Sequence, residues 1–210
     1  GLILMGFCEA NYEKLRNQMR ISFVVYDGYF DKCSKFVNLV IDNYDGGYKA
    51  GEYFKKLGHK KALCISDNYI CMDKERIEGF CKAFAPGETV IWQIPNTKKE
   101  RVQFYKDKFL ELSMLGITGV FAVSDYYALD FMQFLQGRGV RIPKDLQIIG
   151  MDGSMASRES IPALTTIHQD ADLRAKTAIE CIEDMREGRD FGTRVVLPVK
   201  LIKRESTRKL

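Results

Sequence analysis

No run of eighteen apolar residues occurs in this sequence, so no segment has the length to cross a bilayer as a helix. Cysteine is present without a pattern: positions 8, 33, 64, 71, 81 and 181 include no Cys-x-x-Cys pair. With His59 and His168 far apart, that spacing speaks for reduced thiols in a cytosolic protein rather than a disulfide framework or a zinc site. A nucleotide-cradling Gly-x-Gly-x-x-Gly loop is missing, and Asp45-Gly46-Gly47 is too short to replace it. A large excess of one charge sign is missing as well. The formal net charge is +4 without a basic block, and the terminal Lys203-Arg204 and Arg208-Lys209 pairs read as a solvated end.

What is there is a core. Apolar residues make up 46% of the 210 positions, enough for one large domain or two small lobes. Short apolar runs at Leu2–Met5, Ser22–Tyr26, Phe36–Ile41, Ala62–Ser66, Val90–Gln93, Gly119–Val123 and Gln147–Met151 read as strands. Candidate helices lie between most of them, at Glu9–Arg20, Tyr44–Leu57, Lys74–Phe84, Lys98–Leu115 and Tyr126–Gln136. This alternation predicts an α/β fold with parallel sheets and crossover helices. Gly58 and Gly139 stand where left-handed helix ends belong, and Asp42-Asn43 and Ser124-Asp125 are N-cap types, with Asp125 the better cap candidate. The last third changes to one helix, Ala171–Glu187, and an extended segment, Arg194–Ile202. Gly1-Leu-Ile-Leu-Met-Gly6 reads as strand from its first residue, without an initiator Met or a signal-peptide n-region, as though the chain were cut from a longer one.

Polar residues collect at predicted strand ends. Asp152 closes the apolar run Leu146–Met151, Ser124 follows Gly119–Val123, and Arg76 opens the helix after Ala62–Ser66. A cation in a first helical turn opposes the macrodipole and calls for a compensating partner. If the three strands are neighbours, Arg76, Ser124 and Asp152 share one crevice and suit a hydroxyl-rich metabolite. Bland roles remain open for each: caps for Ser124 and Asp125, a turn for Asp152, and a surface ion pair with Glu75 or Glu78 for Arg76. Trp92, the only tryptophan, is a ligand-stacking residue or a core residue. Tyr127, Phe131 and Phe134 give their helix more apolar surface than one sheet-facing side requires, so they are either core or a dimer interface. No nucleophile and base are paired by motif, so no catalytic residue is expected.

The stretch from Val40 to His59, Arg76-Ile-Glu-Gly-Phe80, Ser124-Asp125, Ile142-Pro-Lys-Asp-Leu-Gln-Ile-Ile-Gly-Met-Asp152, Leu164-Thr-Thr-Ile-His-Gln169 and Leu201-Ile-Lys-Arg-Glu-Ser-Thr207 together resemble the effector-binding core of lactose/galactose-repressor-type transcription regulators. The resemblance implies a periplasmic-binding-protein-like type I fold of two doubly wound parallel-sheet subdomains joined by three crossovers. Residues 1–45 and 170–187 would form an N-terminal subdomain lacking its first strands, and 46–169 with 188–210 a C-terminal one. Arg76, Asp152 and Ser124 would bind the effector, with Asp27 and Asp42 reaching it from the other subdomain and Trp92 near its variable rim. The implied partners are a sugar or related polar metabolite, a second copy of the chain, and operator DNA through an upstream helix-turn-helix domain outside this sequence. No cofactor, metal or membrane is implied, and the location is cytoplasmic. The alternative is a periplasmic sugar-binding protein of a transporter, which shares the fold.

Overall fold

A computed structural model of the chain describes residues 1–5, 20–28, 36–68, 71–189 and 192–208. The predicted helix Glu9–Arg20 and Cys8 and Cys33 fall almost wholly outside these residues. The chain divides into two compact units, 1–42 with 170–198 and 43–169 with 199–210, and passes from one to the other three times.

The first unit is built on a parallel sheet of β1 (Leu2–Met5), β2 (Phe23–Tyr26), β3 (Val37–Ile41) and β9 (Arg194–Leu197), in the order β1-β2-β3-β9. Helix α6 (Ala171–Glu187) packs on β2 and β3, where Ala178 and Cys181 meet Val24, Val37 and Leu39. Strand β1 is an edge strand with Leu2, Ile3 and Met5 exposed. The terminal segment read as one extended piece is two strands. β9 joins β3 of this sheet, and after Pro198 the next strand enters the other unit. Residues 188–198 therefore sit with the first unit, a correction to the expected boundary, because strand pairing outweighs sequence proximity to the C-terminus.

The second unit has six strands in the order β10-β8-β7-β6-β4-β5. They are β4 (Lys61–Ser66), β5 (Glu88–Gln93), β6 (Gly119–Ala122), β7 (Gln147–Asp152), β8 (Thr165–Gln169) and β10 (Val199–Ile202), all parallel to their neighbours except β10. β8, and the short helix α5 (Met155–Glu159), were not read from the sequence as elements. Alternation along the strands assigns the two faces. Leu63, Ile65, Val120 and Ala122 pack with Trp92, Tyr105 and Phe131 under α3 (Lys98–Met114) and α4 (Asp125–Gln136). Phe121 turns the other way and stacks on Phe80 at 5.2 Å, with Phe54 on Phe80's edge, beneath α1 (Asn43–Leu57) and α2 (Cys71–Phe84).

Helices α1 and α2 touch backbone to backbone. A Cβ on Gly47 would lie 1.8 Å from the Arg76 carbonyl oxygen, and one on Gly79 2.1 Å from that of Tyr44. Glycine is required there because no side chain fits between the helices, and the contact fixes the height of Arg76 against β4 and β6.

Helices covering opposite faces make the chain diverge after β4 and after β6. In open parallel sheets that divergence opens a crevice at the carboxyl ends of the strands.

Candidate functional site

Three loops end at this carboxyl edge of the second unit. Arg76 sits in α2 with its side chain buried, donating through Nε to Asn43 Oδ1 at 2.8 Å and through Nη1 to the Val123 carbonyl at 2.7 Å. Asp73, one helical turn earlier, lies 3.9 Å from the same guanidinium and accepts from Ser66 Oγ at 2.5 Å. Arg76 is thus not the surface ion pair with Glu75 or Glu78 that remained open from sequence. The helix starts at Cys71, so Arg76 lies in its second turn and not its first, and the buried cation is satisfied by an amide, a carbonyl and an acid.

Asp152 ends β7 with φ 138°, in the region L-residues avoid. Its Oδ1 accepts from Gln169 Nε2 at 2.8 Å and its Oδ2 from the Asp125 N–H at 3.2 Å. Burial, opposed by nearby Arg76 and helped by Asp125, pushes its carboxyl up to about 6. Burial likewise raises Asp73, against the pull of Ser66 and Arg76. The edge therefore holds two carboxyl groups of raised pKa beside one fixed guanidinium, a set that both accepts from and donates to hydroxyls.

Ser124 caps α4, accepting from the Tyr127 N–H at 3.3 Å. The sequence favoured Asp125 for that role. Asp125 is instead the first helical residue, almost fully buried, receiving Ser154 N–H and Oγ at 2.8 Å each and Thr166 Oγ1 at 2.6 Å. It ties the loops after β6 and β7 together, with three of its acceptor sites taken by protein donors. Arg76, Ser124 and Asp152 share one edge, linked through residues 123–125. Asn43, Ser66, Asp73 and Gln169 join them and were missed. Only Asp73 carried a local signal, three residues before Arg76 on the same helix; the others arrive from distant strands and helices.

Asp27 and Asp42 belong to the first unit. Asp27, at the end of β2 with φ 52°, is held by Arg174 of α6 at 2.5 Å, and that guanidinium lies 4.3 Å from the Tyr26 ring centre. The Asp42 N–H donates to the Leu197 carbonyl at 2.9 Å. Trp92 is core: it is 5% exposed and meets Phe104 and Phe131 edge to face. The dimer-interface reading of α4 also needs correction. Phe131 is fully buried under the helix, and Tyr127 and Phe134 pack partly buried against the same core, because the apolar stripe they form is the one facing the sheet. The outward side of α4 carries Tyr126, Gln133 and Gln136, which with the partly buried Leu129 and with Asp152, Ala156 and Ile161 line a groove of about 580 Å³.

Comparison with known proteins agrees with this fold. Residues 52–207 match the family described as periplasmic binding protein-like domain. The HTH-type transcriptional repressor PurR of Vibrio cholerae is 29% identical over 178 residues, 81% of this chain and 53% of that protein. The HTH-type transcriptional regulator DegA of Bacillus subtilis is 31% identical over 173 residues, 80% of this chain and 51% of its own. The chain spans about half the length of these curated relatives. A LacI family transcriptional regulator from Enterococcus faecalis, solved with bound ribose, superposes with a TM-score of 0.83 at 25% identity, covering 100% of this chain and 77% of that one. The chain belongs to the periplasmic-binding-protein-like domain family, in the form carried by lactose-repressor-type transcription regulators.

Proposed function

We propose that this chain is the ligand-sensing and dimerisation part of a DNA-binding transcription regulator acting in the cytoplasm. Its ligand is a small sugar-like metabolite held at the carboxyl edge of the six-stranded sheet. The observation that carries the reading is the edge itself: Arg76 is buried, Asp73 and Asp152 are half-buried, and all three are pre-oriented by protein partners. Such a site is built to bind a hydroxyl-rich ligand. The ribose held by the Enterococcus regulator supports a polyhydroxylated ligand. Operator contact belongs to a helix-turn-helix outside this sequence, and the metabolite alters operator affinity only by binding two arrangements of the protein unequally.

Paired operator half-sites require paired readers, so the active form is a homodimer. The second copy fits the α4–α5 groove, whose lining includes Tyr126 and Ile161 at 59% and 85% exposure, with Met155 of α5 exposed at 73%. The sensing role is tested by a thermal-shift screen of pentoses, disaccharides, nucleosides and purines, in which a ligand at 100 times its Kd adds about 2.7 kcal/mol. Asp152→Ala and Arg76→Ala are expected to lose the shift while remaining folded by circular dichroism. Retention of affinity in both variants defeats the assignment.

A further inference from the structure

Behind the carboxyl edge lies a second buried cation. Arg101, in the first turn of α3, is the largest fully buried charged side chain among the described residues. Every face of its guanidinium is used. Nε donates to Asp130 Oδ2 at 2.8 Å, Nη1 to the carbonyls of Asn96 and Pro95 at 2.6 and 3.4 Å, and Nη2 to the Tyr126 hydroxyl at 2.9 Å. The group also lies 5.1 and 5.3 Å from the ring centres of Tyr126 and Tyr127. A cation of this size has no place in a core of leucines and phenylalanines unless its geometry is used.

The groups it binds indicate the use. Residues 94–97 form the loop after β5, beside the loop after β4, and Ile94 N–H donates to the Ser66 carbonyl at 2.8 Å. Gln93 Nε2 donates to the Asp67 carbonyl at 3.4 Å. Ser66 in turn holds Asp73. One rigid fork therefore anchors the loop after β5, and that loop is bonded to the Ser66–Asp67 segment.

We propose that Arg101 is a positioning residue for the ligand site, setting the shape of the rim formed by the loops after β4 and β5 without touching the ligand. The proposal rests on the carboxyl edge being the ligand site. It requires the planar fork of arginine, since one ammonium cannot reach a carboxylate, two carbonyls and a phenol in fixed directions.

Single removal of Arg101 leaves Asp130 as a lone buried acid, so the decisive variant replaces both, Arg101→Met with Asp130→Leu. Exchanging a buried ion pair for apolar side chains is commonly tolerated by the fold. Two measurements on the full chain are needed. In amide hydrogen exchange without ligand, the Ile94, Asn96 and Thr97 amides should exchange at least tenfold faster, with β4 and β6 unchanged. In calorimetry with D-ribose as the probe, affinity should fall at least tenfold, and Arg101→Lys should not restore it. Unchanged exchange and unchanged affinity in the folded double variant overturn the proposal, as does recovery by lysine, which needs only the charge. Absence of ribose binding by the wild type counts against the sugar reading instead, and the exchange experiment still decides whether Arg101 anchors the rim.

Discussion

Asp152 carries the electrostatics of the site. Its folded carboxyl titrates at about 6, above the value near 3.9 of an aspartate in an unfolded chain. Because the folded pKa is the higher, its contribution to stability is complete below about pH 4 and is lost as pH rises through about 6. Asp152→Asn should remove that loss, seen as a flatter dependence of the urea midpoint on pH between 4 and 7. Ligand affinity runs the opposite way. A hydroxyl donates better to the ionised carboxylate, so the Kd for a bound sugar should tighten between pH 5 and 7 in the wild type and stay flat in Asp152→Asn. Asp125 shows why neighbouring acids differ in role: with three donors from Ser154 and Thr166 on its oxygens it braces the loops after β6 and β7.

Three helices decide whether the site exists at all. Helices α1 and α2 approach so closely that Gly47→Ala must push Arg76 away from β4 and β6. Overpacking of this kind costs about 1–3 kcal/mol, and here ligand affinity should fall with the denaturation midpoint. Helix α4 is pinned to the sheet by Phe131, fully buried beside Trp92 and Tyr105. Phe131→Ala should cost about 3–5 kcal/mol in urea unfolding. A charge at Phe131 should unfold the unit instead of splitting a dimer.

At the scale of the whole molecule the open question is which surface meets a second copy. With Phe131 and Phe134 committed to the core, the exposed Met155 and Ile161 beside α4 are the proposed contact. Met155→Glu with Ile161→Glu should convert a dimer to a folded monomer in sedimentation velocity while sparing ligand binding; an unchanged sedimentation coefficient removes that face from consideration.

The alternation of strands and helices, the parallel sheets and the presence of Arg76, Ser124 and Asp152 at strand ends were legible in the sequence, because apolar periodicity and capping chemistry act over a few residues. Gly58 and Gly139 do take positive φ, 96° and 81°, as their placement after helices implied. What the sequence did not reveal was decided by tertiary structure. Ser124 rather than Asp125 caps α4, because Asp125 is drawn inward by Ser154 and Thr166. Asp27 is tied to Arg174, 147 positions away, and β9 and β10 part at Pro198 to complete different sheets. Strand order brings these partners together, and strand order follows from burying all the apolar faces at once, which no local pattern records.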